Sequence, residues 1–255
     1  ASNFKNNFGS LDQCTEALGH TDFLKEAQAK IHANLQAKAV IAAKLQKEGK
    51  FDISEIEQHY PYLKILFQRD AQVSEGYSVG EHTQRVLNQF EHQNTHFPLK
   101  DIEKNSPQLG DIKPLFKAML VLHDIGKSLG NKKHQHAFTV PILVHYLEEW
   151  GFNPAQVRLA KELVNQDDLG EMMQGHKKAN RVYQGLRDKA MMLGMKPKDF
   201  VDLQELFYVS DASSYPNLHS RIFTQDEHGK LNIRKDPQWS KLQNLIHDDK
   251  GEDQE

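Results

Sequence analysis

The stretch "KAMLVLHDIGKSLG", residues 117–130, decides how this chain is read. Its apolar run, Met119-Leu120-Val121-Leu122, leads straight into His123 and Asp124, and Gly126 and Lys127 follow. Pro114 stands just upstream, at a position where a first-turn proline is tolerated. The spacing therefore predicts a buried helix that opens near Pro114 and ends at the His-Asp pair. A carboxylate at the end of such a helix is costly to bury unless it is paired or bound to a metal. The dipeptide alone decides nothing, because a second one, His247-Asp248, lies in the polar tail. If the first pair matters, other residues must converge on it.

Outward from that helix the pattern is helical almost throughout. Leu24, Ala27, Ile31, Leu35, Ile41 and Leu45 recur near helical spacing over 22–48, and Gly49 ends the run. Ser54 and Glu57 have the spacing of a capping box, and Ser78 and Glu81 repeat it before "HTQRVLNQFEHQ". Gly151 closes the helix containing "LVHYLEEW", and Asn153-Pro154 caps and starts the next, to about Asn165. "HKKANRVYQGLRDKAMML" and "DFVDLQELFYVSD" supply two more helices, while residues 98–113 read as the clearest loop. "RIFTQ" and "KLNIR" alternate around a Gly-containing turn, which predicts a small hairpin. The expected fold class is all-α. A helical bundle over 60–220 carries a helical N-terminal extension, 1–59, packed on it. Residues 221–255 supply the hairpin, a short helix around Trp239, Leu242 and Leu245, and a polar tail.

With 255 residues, 38% hydrophobic and 26% charged, the chain reads as a soluble globular protein with a sizeable core. The net charge of −3 provides no basic field, so nucleic acid is not an expected partner. A single cysteine, Cys14, excludes an internal disulfide framework and suits a reducing compartment. No apolar stretch approaches the roughly 18 residues a membrane span needs. The expected location is the cytoplasm.

Three further segments hold residues that could meet the pair. Val79, Val86 and Phe90 mark a helical stripe that includes His82, and Phe116, Met119 and Leu120 precede His123 on neighbouring helix positions. Asp211 follows Phe207 by one turn. Each residue has an ordinary explanation: a core histidine bonded to a carbonyl, or a carboxylate capping the turn before Ser213 and Pro216. Together, two imidazoles and two carboxylates make a nitrogen and oxygen site for a divalent metal, without the thiolates of a cysteine-type zinc site. Four protein ligands on an octahedral ion leave positions for water and a phosphate oxygen, as hydrolysis requires.

The order His82, His123-Asp124, Asp211 resembles the HD-domain superfamily of metal-dependent phosphohydrolases. "YSVGEHTQRVL" is similar to the helix carrying that family's first ligand, "LHDIGK" to the surround of its His-Asp pair, and "LFYVSDAS" to the segment bearing its last Asp. The resemblance covers roughly residues 75–215. It implies a helical bundle in which His82, His123, Asp124 and Asp211 hold one divalent ion (Mn, Fe, Mg, Ni, Co or Zn), with Asp124 nearest the catalytic water. It also implies that Gly126 lets the chain turn away and that Lys127 points towards substrate phosphate. For Lys127 the competing reading is a solvated charge at a helix C-terminus.

His136 sits where two-metal members often carry a ligand, yet Asn165-Gln166-Asp167 stands where a second histidine would be expected. One metal is therefore favoured, with His134 and His136 contacting phosphate or transferring a proton. Lys132 is expected to bind substrate, and Lys133 and His176-Lys177-Lys178 could add phosphate-binding charge. The Glu-Asp motif of the superfamily's guanosine-tetraphosphate hydrolases is missing after the pair. The expected function is hydrolysis of a phosphate mono- or diester, of a nucleotide or related small molecule. The alternative is a regulatory sensor that binds a nucleotide or metal with little turnover.

Overall fold

Helix α6 (Ile112–Leu122), the helix of the opening stretch, is apolar on every side and is buried from Pro114 to Leu122, as a central core helix must be. The computed structural model describes residues 21–130 and 135–252. Asp111 caps α6 by accepting the Lys113 N–H at 3.1 Å. Lys117 is buried within it, and burial holds its pKa below the usual lysine range. Its ammonium donates to the Lys47 carbonyl at 2.6 Å, which ties α6 to the end of the first helix.

That helix, α1 (Thr21–Leu45), is anchored by Ala37, Ile41 and Leu45, all buried. The predicted stripe does not continue inward towards its N-terminus: Ile31 and Leu35 are 60% and 59% exposed. Helical spacing is preserved, but the body of the protein ends before that half of α1 begins. The side chains of Leu24 and Ala27 lie outside the described residues.

Two short helices follow, α2 (Ser54–His59) and α3 (Pro61–Phe67). The capping box expected at Ser54 and Glu57 does not form; Ser54 is already helical and the cap position is Ile53. Its role passes to Asp52, which accepts the Ser54 N–H, and to the distant Gln84, which accepts the Ile53 N–H. At α4 (Val79–Gln93) the predicted capping box of Ser78 and Glu81 is present in both directions. Asn153 likewise caps α8 (Pro154–Val164) together with Gln156.

Residues 98–113 are not a loop. They contain α5 (Leu99–Asn105) and a single 3-10 turn, Pro107–Leu109. The helix is too short to persist on propensity, so its stability comes from burying Leu99 and Ile102. The remaining helices are α7 (Gln135–Glu149), α9 (Asp168–Met173), α10 (Ala179–Met192), α11 (Pro197–Ala212), α12 (Pro216–Ile222) and α13 (Pro237–Glu252).

The predicted hairpin is formed by β1 (Phe223–Gln225) and β2 (Leu231–Ile233), antiparallel with Phe223 opposite Ile233. Gly229 supplies the positive φ of its turn, +88°. Gln93, at the end of α4, fixes the hairpin by donating to the Gly229 carbonyl and accepting the Leu231 N–H. One apolar core runs from Ala37 through Trp239 and Leu242. Within it α4 packs against both α6 and α11, which brings the three candidate ligand segments together. Among the described residues, no helix is long and apolar enough to cross a membrane.

Candidate metal centre

His82 lies in the second turn of α4, on the face that also carries Val79 and Val86, and all three are fully buried. His123 is the residue at which α6 ends, and Asp124 opens the 3-10 turn Ile125–Ser128 that follows. Asp211 comes from the last turn of α11. One ligand atom from each of the four lies within 4.8 Å of all the others. Asp124 Oδ2 and Asp211 Oδ1 are each 3.0 Å from His82 Nε2, and 3.5 and 3.7 Å from His123 Nε2. The site opens to solvent on one side: the Asp211 side chain is 37% exposed, whereas that of Asp124 is 8% exposed.

The His123 ring is oriented for coordination. Its Nδ1 is 2.7 Å from the Leu120 carbonyl, a pure acceptor, so the ring proton resides on Nδ1. Nε2 is then left with a lone pair facing the carboxylates, and it is buried without a hydrogen-bond partner. Asp211 Oδ1 is also buried without a well-aligned donor, despite its closeness to His82. Buried orphans of this kind are rare, and two of them face one point at which the four side chains could hold a cation. Phe207 stands edge-on to the His123 ring, with centroids 5.9 Å apart.

The charges at the cluster are balanced within the protein. Burial alone would lower the His82 pKa, but Asp124 and Asp211 outweigh it and raise it to about 9. Burial likewise works against ionised Asp124 and Asp211, yet the neighbouring imidazoles and, for Asp124, Lys127 hold both well below the usual carboxylate range. In this form, a protonated His82 and the Lys127 ammonium balance two carboxylates. A divalent ion would supply the same two positive charges. The set of two imidazoles and two carboxylates suits a divalent transition metal or magnesium.

Lys127 is neither solvated nor at an open helix end. It is buried, and its Nζ is 2.5 Å from Asp124 Oδ2. Gly126 lies within the 3-10 turn and permits a close approach: a Cβ there would collide with the Gln135 carbonyl and Thr139 Oγ1 at the start of α7. Its N–H donates to Thr139 Oγ1 at 3.0 Å. This contact brings the N-terminus of α7, with half-buried His136, alongside the pair. Burial lowers the His136 pKa, with Asp124 opposing, so the ring is neutral near pH 7. Its Nδ1 is buried and has no hydrogen-bond partner.

Lys132, Lys133 and His134 lie outside the described residues. Lys177 is engaged elsewhere, paired with Asp168 at 2.8 Å, and Gln166 is exposed.

Three contributors escaped the sequence reading. Ser214 Oγ and the Tyr215 hydroxyl lie 3.4 and 3.1 Å from the two nitrogens of His82. Their signal was position alone, a polar and aromatic segment directly after Asp211. Gln72 gave no signal at all. Its backbone is left-handed, φ +55°, and its carboxamide donates to the carbonyls of Lys127 and Gly130, which holds the turn bearing Lys127. Compared with protein-family models, with curated proteins and with solved structures, the chain has no significant match.

Proposed function

We propose that the protein is a metal-dependent phosphohydrolase of the HD type, acting on a phosphate mono- or diester of a nucleotide or related small molecule. The observation that carries this reading is the buried His82, His123, Asp124 and Asp211 cluster, with the lone pair of His123 Nε2 unpartnered at its centre. A divalent ion bound there would lower the pKa of a water and polarise a phosphoryl oxygen. His82, His123, Asp124 and Asp211 would hold it, and Asp124 would also accept a hydrogen bond from the attacking water.

Lys127 has a defined task in this scheme. With Asp124 committed to an ion, the Lys127 ammonium would face the phosphoryl oxygens and act as a point charge on the developing negative charge. His136, neutral and beside the pair, can take a proton as a general base. Asp211, at the open edge, leaves room for the ester to enter.

The test is metal content together with turnover on an aryl phosphate and a panel of nucleotides. The reading expects about one ion per chain and hydrolysis that a chelator abolishes. Nucleotide binding with metal present but no turnover would instead support a regulatory sensor. A protein that binds neither metal nor phosphate ester would end both readings.

A further inference from the structure

Tyr215 lies in the centre described above, though nothing in the ligand pattern calls for it. Its ring is nearly parallel to the His82 imidazole, with centroids 4.7 Å apart and planes 25° apart. Its hydroxyl is 3.1 Å from His82 Nε2, and that nitrogen is 3.0 Å from both Asp124 Oδ2 and Asp211 Oδ1. The phenolic oxygen is thus about as close to the ion-facing nitrogen as the two carboxylate ligands are.

The backbone fixes it in that place. Ser214 donates its N–H to the Asp211 carbonyl at 3.0 Å, which continues the turn directly from the last ligand. Tyr215 is extended, Pro216 opens α12, and the Tyr215 carbonyl accepts the N–H groups of Leu218 and His219. The segment after Asp211 therefore meets the first ligand, His82, at both of its nitrogens.

We infer that Tyr215 is a substrate-contacting residue whose hydroxyl donates a hydrogen bond to an oxygen of the phosphoryl group held at this centre. The inference rests on the phosphohydrolase reading and adds a residue to it. With His82 Nε2 committed to an ion, the phenol would no longer pair with that nitrogen, and its O–H could donate to an anionic oxygen beside it. Lys127 and Tyr215 then have different tasks: the ammonium supplies charge, and the fixed phenol supplies direction. A hydrogen bond to a charged oxygen is among the stronger neutral-donor contacts available to a protein.

Tyr215→Phe isolates the hydroxyl, because it keeps the ring stacked on His82 and fills the same volume. Two quantities are measured by calorimetry: binding of Mn(II) to chelator-treated protein, and binding of inorganic phosphate to the Mn(II)-loaded protein. The expected result is Mn(II) affinity within about threefold of wild type and phosphate affinity weaker by about 10-fold, the size of one charge-assisted hydrogen bond. Phosphate affinity that does not change would make Tyr215 a packing residue and overturn the inference. Loss of Mn(II) binding would also overturn it, since the hydroxyl would then serve the metal and not the phosphate. If the wild type binds Mn(II) but no phosphate, the phosphohydrolase reading and this inference fall together.

Discussion

His123-Asp124 closes a helix that is buried from Pro114 onward, while His247-Asp248 sits exposed on α13, beyond the anchors Trp239 and Leu242. The residue types are the same in both pairs, but the surroundings differ in every respect that governs chemistry. At the first pair, burial removes water and obliges each polar atom to find a partner. His82 and Asp211 answer that demand from other helices and Lys127 from the adjoining turn, and His123 Nε2 is left without a partner. At the second pair, water satisfies both side chains and screens their charges. A dipeptide motif therefore acquires meaning from what is buried around it.

The comparison is broken most directly by paired substitutions. Asp124→Ala should abolish metal binding and hydrolysis together, because it removes a ligand and half of the balancing charge. Asp248→Ala should leave metal content and turnover unchanged and shift stability by no more than about 0.5 kcal/mol. Metal content by atomic emission and turnover on the same ester check both. Full metal and activity in the Asp124 variant would remove the contrast.

Next in size is Lys127→Ala. It should retain the ion yet slow turnover by about 10²-fold, the order observed when one electrostatic contact to a transition state is lost. Single-turnover kinetics at saturating metal measure this without interference from binding. A rate equal to wild type would confine Lys127 to pairing with Asp124.

The dependence on pH sharpens the same point. His82 is raised from 6.5 to about 9 in the metal-free fold. A group raised on folding contributes stability that is full below its ordinary value and is lost as pH rises through the raised one. Urea melts of metal-free protein should therefore show stability falling between about pH 6.5 and 9. The ion needs the neutral ring, so its binding expels that proton, and its apparent affinity should climb through the same window by up to about tenfold per pH unit. Affinity that is flat in pH would mean that His82 is not a ligand. Asp124 and Asp211 are depressed, so their contribution is present above the ordinary carboxylate range and lost as acid protonates them. The smallest effect expected is that of Gln166→Ala. Its side chain is exposed, so metal stoichiometry and turnover should stay at wild-type values.

How far the sequence could be read follows from the range of the forces involved. Local chemistry was legible: the caps at Ser78 and Asn153, the apolar helix ending at His123, and the Gly-turned hairpin all rest on neighbours within a few residues. The cluster was legible because His82 and Asp211 share helical faces with apolar residues and His123-Asp124 closes an apolar helix, where polar residues are conspicuous. What failed depended on distant partners. Ser54 lost its capping role because Gln84 reaches the Ile53 N–H from another helix, and α5 exists because Leu99 and Ile102 find a core to enter. Ile31 and Leu35 match the helical period but meet no core. The pairing of Lys127 with Asp124 was likewise hidden, because it depends on a turn held by Gln72 from far away in the chain.

The central claim is that the buried cluster binds one divalent ion, and it is tested most directly by titrating chelator-treated protein with Mn(II), in the wild type and in His123→Ala. His123 is the member whose Nε2 lone pair has no present partner, so removing it should take away ion binding, although losing its packing and its bond to the Leu120 carbonyl also costs the variant some stability. The predicted result is about one ion per wild-type chain and none for the variant, with circular dichroism unchanged. No ion on the wild type, or the same stoichiometry and affinity in both proteins, would contradict the account.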